Sequence, residues 1–520
     1  MIGPSALLQH AQQRAAVLRD RYTAAGLWSA QPVDVVRTTA AQHPDRLALV
    51  SRRGEISYAE LDGHVERAAR KMLDAGVEAS MPLVVVVGND IESVVVIHAA
   101  VRIDAVVLLV PRSAGVAQVA DIAARTGARL GVAPNWRETA ELAGSCAWID
   151  LGRAEPPDAV AACRPLRAAM DPSFVLYTSG TTSKPKGVVH SLSTLIKASQ
   201  NYIAAAGLTA DDRIFLISPL ASVTGVLQGL FIGPLLAAPV VLEDRWDPAA
   251  TCELLVSSGA TWYGGPDRLL DRVLDEAVAR NLEIPLTAVY LGGTMLDRRI
   301  VERIEDDFAI TVMRAYGSSE VPVSTSGLRT EPRDVRHDDD GVPLADVDVR
   351  VGSASEATEC CVRGPHTFLG YTDAADDAQA FDGEWFRTGD VADLDNGRVR
   401  IVGRIKDIVI RNGLKIPTAE VEETVTRIDG VRECAAYSVA DAVTGERLAV
   451  AVVVDEGVRL SIADVADALA AAGLPKYKFP EELVFWDEPL PVNANGKVQR
   501  NTLDERSTGR SRVLADRLGQ

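Results

Sequence analysis

The chain has 520 residues, 47% of them apolar and 24% charged, with 54 basic against 72 acidic side chains and a net charge of −18. Such a length divides into about two to four domains, because a single core stops growing at roughly 250 to 300 residues. The acidity repels nucleic acid and anionic membrane, so neither is an expected partner, and an anionic small substrate must meet locally concentrated positive charge.

Residues 47–50 form a short apolar run that predicts a strand, closed by the turn Ser51-Arg52-Arg53-Gly54. Ser57 and Glu60 have the spacing of a capping box, Leu61, Val65, Ala68 and Met72 share one face of the helix it opens, and Gly76 suits the C-terminal cap. Residues 83–87 are continuously apolar, as a strand covered on both faces requires. This alternation of strand and helix predicts α/β architecture with mainly parallel sheets. Residues 225–242 are the most membrane-like stretch, but Gln228, Pro234 and Pro239 interrupt it. It falls short of a comfortable span and predicts a buried helix followed by a buried strand. From Gly352 the texture changes to short strands between Gly, Pro and Asp turns. After Asp407 an alternating αβ pattern resumes, with a strand end and helix start over 416–423 and a buried strand over 448–454. A boundary is therefore expected near residue 403, giving domains 1–403 and 404–520.

The cysteines are Cys146, Cys163, Cys252, Cys360, Cys361 and Cys434, with no CxxC spacing. Adjacent Cys360 and Cys361 would face opposite sides of a strand, so reduced thiols are expected and a zinc site is not. The start Met1-Ile2-Gly3-Pro4 has no basic stretch followed by a long apolar run, so a cytoplasmic protein without a secretory signal is expected. Asp338-Asp339-Asp340-Gly341 fails the calcium-loop spacing and reads as a turn.

The strongest chemical feature is Tyr177-Thr178-Ser179-Gly180-Thr181-Thr182-Ser183-Lys184-Pro185-Lys186-Gly187, delivered by the apolar run 174–177. Hydroxyls, glycines and two lysines in one loop can wrap phosphate oxygens with backbone N–H groups and positive charge. It is not a Walker A loop, because Gly187 is followed by valine. The loop resembles the phosphate-binding signature of the adenylate-forming superfamily, which includes acyl-CoA ligases, peptide-synthetase adenylation domains and firefly luciferase. In the family's order follow Leu291-Gly292-Gly293-Thr294, Tyr316-Gly317-Ser318-Ser319-Glu320, Trp385-Phe386-Arg387-Thr388-Gly389-Asp390, Gly403-Arg404-Ile405-Lys406-Asp407 and Pro491-Val492-Asn493-Ala494-Asn495-Gly496-Lys497. The ordered set covers essentially the whole chain.

The resemblance implies a large N-terminal α/β domain, made of two α/β subdomains and a small β-barrel-like one, with a small mobile α+β C-terminal domain. It implies ATP and Mg²⁺, with CoA as co-substrate. Adenylation needs in-line attack by an anion on the α-phosphorus with pyrophosphate leaving; a carboxylate is already nucleophilic, so positioning and charge neutralisation do most of the work. By resemblance, Thr178, Ser179, Gly180, Thr181, Thr182 and Lys186 hold phosphates. Gly292, Gly293, Thr294, Tyr316, Gly317, Ser318 and Ser319 line the nucleotide pocket. Glu320 matches the position associated with Mg²⁺, Asp390 the ribose carboxylate, and Lys497 the lysine bridging the acid and the α-phosphate. Arg404 and Lys415 are candidate phosphate contacts, Lys406 matches the hinge, and Gly413 the glycine beside the pantetheine channel.

One departure concerns Ser218-Pro219-Leu220-Ala221-Ser222-Val223-Thr224-Gly225. Many acyl-CoA ligases resembling this chain have Pro-Leu-Phe-His there; Ser222 stands where the histidine would fall, beside a substrate pocket that includes Gly225. The expected partners are a small acid and a nucleotide, with an aromatic or alicyclic acid favoured and an acid–CoA ligase of secondary metabolism as the reading. A carrier-protein thiol as acceptor, a diazotase using nitrite and an aryl amine, and a homodimer remain open from the sequence.

Overall fold

A computed structural model describes residues 8–134, 146–151, 162–178, 185–292, 296, 298–492 and 498–515. Two large sheets, each with a parallel centre, carry the N-terminal part. In one, strands Pro82–Val87 and Val106–Pro111 pair in parallel, Leu130–Val132 flanks the first and Pro172–Tyr177 the second. Every residue of Pro82–Val87 is buried, which is why the sequence there is continuously apolar rather than alternating. Gly187–Ser191 then turns back antiparallel to Pro172–Tyr177, and Gly370–Tyr371 closes that edge.

The other sheet is nine-stranded. Its parallel centre runs Leu47–Ser51, Val240–Leu242, Ile214–Leu216, Trp262–Gly265, Ala288–Gly292 and Thr311–Tyr316. Helix Tyr58–Asp74 has the predicted capping box, with the Ser57 side chain accepting from the Glu60 amide and Glu60 reaching back. Gly76 adopts φ +88° after it, a conformation glycine accepts without strain. Residues 223–226 and 233–236 are α-helical around a π-helical stretch at Leu227–Ile232, and Val240–Leu242 follows as a buried strand. Among the described residues no helix is long and apolar enough to cross a membrane. A continuous apolar core joins the layers through residues such as Leu83, Leu109, Leu216, Leu230 and Trp262.

A five-stranded antiparallel sheet follows, built on Asp348–Val351, Glu359–Arg363, Trp385–Asp395 and Arg398–Arg404. Cys360 and Cys361 are both buried in its second strand. The described cysteines are all free, and no cluster of three metal-ligating side chains occurs among the described residues. After the short helical turn Ile405–Asp407 the chain enters a separate six-stranded sheet with helices Thr418–Val425 and Ile462–Ala471. Its core, around Val409, Ile416, Val450 and Leu469, is its own. The architecture is the expected one: two α/β subdomains, a small antiparallel β subdomain and a smaller α+β C-terminal domain.

Candidate active site

Parallel strands end where ligands usually bind, because their carboxyl ends open a crevice flanked by loops. Two neighbours in this sheet, Ala288–Gly292 and Thr311–Tyr316, end together with Gly292 opposite Ala315. A side chain at Gly292 would come within 2.5 Å of the Ala315 carbonyl oxygen, so only glycine lets the strands run side by side to this point. The loop after Tyr316 folds back on itself. Ser318 N donates to the Val321 carbonyl at 3.2 Å and Ser324 N to the Tyr316 carbonyl at 2.8 Å. A Cβ at Gly317 would sit 2.4 Å from Val323 N, so the fold-back requires glycine. Val323 is at φ +43°, which costs a β-branched residue about 1–2 kcal/mol and marks the loop as held by its surroundings.

Those surroundings are specific. His190 Nε2 lies 2.7 Å from the Ser319 carbonyl, while its Nδ1 lies 3.0 Å from Thr194 Oγ1. Burial pushes this imidazole down to about 4, so it is neutral at physiological pH and donates from Nε2. Phe368 N donates to the Glu320 carbonyl at 2.8 Å, and Tyr371 Oη donates to Glu320 Oε1 at 2.7 Å. The Glu320 amide itself donates to Ser318 Oγ at 3.2 Å.

Asp390 is the second fixed carboxylate. It is buried on the long strand Trp385–Asp395, accepting from Tyr316 Oη at 2.8 Å and paired with Arg404 Nε at 3.0 Å. Burial, then the charge of Asp390, holds the Tyr316 phenol well above its ordinary range, so it stays a donor. The Arg404 guanidinium is raised chiefly by Asp390. The structure thus brings one residue from each of three motifs, Tyr316, Asp390 and Arg404, into one bonded group. Lys406 lies just beyond, in the turn Ile405–Asp407, and burial followed by repulsion from Arg404 lowers its ammonium.

Tyr371 links Glu320 to the hairpin that flanks the expected phosphate loop. Tyr177 pairs with Gly187, and Thr178 N donates to the Lys186 carbonyl at 3.1 Å. The Lys186 ammonium pairs with Asp376 at 2.8 Å and lies 5.0 Å above the Tyr371 ring. Ser179, Gly180, Thr181, Thr182, Gly293, Thr294 and Lys497 lie outside the described residues.

Four expected residues have local roles that the sequence did not suggest. Ser222 caps the helix it precedes, accepting from Gly225 N at 3.1 Å while its hydroxyl donates to the Pro219 carbonyl at 2.7 Å. A Cβ at Gly225 would fall 2.0 Å from that same carbonyl oxygen, so Gly225 is required by the turn itself. Lys415 pairs with Glu356, on the small antiparallel subdomain, rather than joining the Asp390 group. Asn412 and Gly413 take φ +51° and +76° in the tight turn between Ile408–Arg411 and Leu414–Pro417, and a Cβ at Gly413 would meet nothing within 4 Å. That glycine is therefore explained by turn geometry.

Sequence reasoning missed His190, Tyr371 and Asp376. His190 left a trace, since a histidine interrupts the otherwise apolar start of Gly187–Ser191. Tyr371 left none: it reaches Glu320 across 51 residues of chain.

Residues 36–372 match the family described as AMP-binding enzyme, and residues 420–497 match the AMP-binding enzyme C-terminal domain. A salicylyl-CoA synthase / salicylate adenylyltransferase from Streptomyces sp is 29% identical over 95% of this chain and 96% of its own. A 3-[(3aS,4S,7aS)-7a-methyl-1,5-dioxo-octahydro-1H-inden-4-yl]propanoyl:CoA ligase from Mycobacterium tuberculosis is 32% identical over 67% of this chain and 69% of its own. Among solved structures, an o-succinylbenzoate CoA synthetase from Bacillus subtilis, in complex with ATP and magnesium ion, superposes with TM-score 0.80 at 22% identity, covering 91% of this chain and 99% of that one. An anthranilate CoA ligase in complex with anthranoyl-AMP gives 0.82 at 18% identity, covering 92% and 98%. At such identities the structures speak for the fold.

Proposed function

The chain belongs to the AMP-binding enzyme family, and from that membership we propose an ATP-dependent, AMP-forming ligase that adenylates an aromatic or alicyclic carboxylic acid and passes the acyl group to CoA. The observation that carries the nucleotide half is Asp390, buried and held between Tyr316 and Arg404 at the carboxyl ends of parallel strands. A fixed carboxylate there suits two adjacent ribose hydroxyls, and the donors already bound to it set its orientation. The relatives that act on salicylate and on a fused-ring propanoate support the acid class.

In this reading Thr178 and Lys186, with the loop between them, cradle the phosphates, and Lys186 leaves Asp376 to do so. Glu320 offers a single carboxylate. That fits Mg²⁺, which takes one or two protein carboxylates together with phosphate oxygens and waters rather than an all-protein cage. When bound, the ion neutralises charge on the leaving pyrophosphate. Lys497 is assigned the contact to the acid and the α-phosphate oxygens, where a positive charge favours the crowded anionic transition state. The acid oxygen bonds to the α-phosphorus as the bond to the bridging oxygen breaks. The thiolate of CoA then takes the acyl carbon and AMP leaves. Lys406, at the turn joining the two domains, is assigned the pivot between these steps.

The test is AMP release in ATP and Mg²⁺ with benzoate-type, alicyclic or medium-chain acids, or nitrite with an aminoaryl acid, each with and without CoA. The proposal expects acid-dependent AMP release, with a thioester only when CoA is present. Adenylate without thioester would assign the acceptor to a carrier protein. AMP release that needs nitrite, whatever the CoA, would overturn the acid.

A further inference from the structure

Besides Ser318 in its own loop, the described residues that hydrogen-bond to Glu320 come from a segment that none of the adenylation assignments above includes. Phe368 and Tyr371 grip this residue at both ends, the first by its amide to the Glu320 carbonyl at 2.8 Å, the second by its phenol to Oε1 at 2.7 Å. The phenol cannot wander. Tyr371 is buried, its backbone pairs with Val188, and its amide donates to Asp377 Oδ1 at 3.0 Å. Its ring meets Phe368 edge-on with centroids 4.9 Å apart, and Phe368 in turn stacks on Phe381 at 5.1 Å. The Lys186 ammonium lies over the same ring, 5.0 Å from its centroid.

We infer that Tyr371 is a positioning residue for the adenylation step, which aims the Glu320 carboxylate at the metal-bearing phosphates from the ring that also flanks Lys186. This rests on the reading of Glu320 proposed above. The physical reason is the number of free torsions. A glutamate has three rotatable bonds, whereas Mg²⁺ demands near-octahedral geometry with short bonds. An oxygen that already accepts a phenol proton fixes the carboxylate plane and leaves Oε2 outside that bond for the cation. A buried tyrosine needs some acceptor; here the acceptor is the side chain of a residue whose backbone carbonyl the same segment also bonds, through Phe368 N.

The experiment compares the wild type with Tyr371→Phe, Glu320→Gln and the double variant. Two measurements are made. One is the Mg²⁺ concentration at which ATP raises the melting temperature, which needs no acid and no turnover. The other is acid-dependent ATP–pyrophosphate exchange. Tyr371→Phe keeps the ring and should melt near the wild type without ligand, while its Mg²⁺ midpoint rises about tenfold, the equivalent of about 1.4 kcal/mol. Exchange at low Mg²⁺ should fall by a similar factor and recover at high Mg²⁺. In the Glu320→Gln background the same change should cost less than about twofold, since residues acting through one group are not additive. If Tyr371→Phe melts early, Glu320→Asp keeps the charge and retracts the carboxylate from the phenol, and it should raise the midpoint alike.

An unchanged or lowered Mg²⁺ midpoint overturns the inference, as does an equal loss with and without the Glu320 carboxylate. A wild type whose melting shows no joint dependence on ATP and Mg²⁺ overturns it as well. Absence of exchange with every acid, alongside the expected melting shifts, would instead overturn the proposed acid substrate and leave the role of Tyr371 standing.

Discussion

Gly225→Ala gives a sharp test of the turn that leads into the buried helical stretch at 223–236. The added methyl carbon would lie 2.0 Å from the Pro219 carbonyl oxygen and 2.7 Å from Leu220 Cα. Both are backbone atoms, so no rotamer relieves the clash and residues 219–220 must move by more than an ångström. Overpacking of this kind costs about 1–3 kcal/mol. The same movement withdraws the Pro219 carbonyl from Ser222 Oγ and Ser222 Oγ from Gly225 N, now at 2.7 and 3.1 Å, adding about 1 kcal/mol for the lost cap. The total is about 2–4 kcal/mol, which for a domain this long lowers the melting temperature by roughly 1 °C per kcal/mol. Ser222→Ala isolates the cap: global melting should barely change, while amide exchange at 223–226 should quicken about fivefold. Because Tyr316, Asp390 and Arg404 do not touch the turn, ATP half-saturation should hold in both variants, and half-saturation by the acid should rise in Gly225→Ala. The reasoning is refuted if Gly225→Ala melts with the wild type. If Ser222→Ala abolishes turnover without quickening exchange at the helix start, the hydroxyl works on the substrate and not as a cap.

Asp376→Asn should lower half-saturation by ATP about two- to fivefold, since it removes the competitor for Lys186; both side chains are about one-third exposed, so the pair is worth up to about 1 kcal/mol. A higher ATP requirement would show that Asp376 aids the phosphate loop. Acid should weaken the N-terminal domain early. His98 and His190 are pushed down to about 4 and His366 to about 3, each chiefly by burial, against an ordinary value of 6.5. Depressed values mean that the unfolded chain binds the protons first, so this stability is complete above pH 6.5 and is lost as pH falls toward 4. With three such groups the slope reaches about 4 kcal/mol per pH unit. A melting temperature flat between pH 7 and 5.5 would refute the burial of these rings as neutral species; the window lies above most carboxylate titration.

Much of the fold was legible because its causes are local or periodic. The continuous apolar run at 83–87 could only be a strand covered on both faces, and Ser57 and Glu60 could close only on each other. The ordered motifs, from the Ser/Thr/Gly-rich loop after Tyr177 through Glu320 and Asp390 to Lys497, pointed to adenylation by resemblance, and the family match agrees with that order. Tertiary structure decided what those residues touch. Ser222, read from the sequence as standing beside the acid, caps a helix in this structure; Lys415, read as a candidate phosphate contact, pairs here with Glu356. Tyr371 carried no local pattern, because its partner is brought to it by the strand Gly370–Tyr371 closing the sheet beside the phosphate loop. Spacing along a chain reports neighbours within one helix or strand. Which carboxylate meets which phenol depends on how separate sheets stack, and only burial of their shared apolar faces determines that.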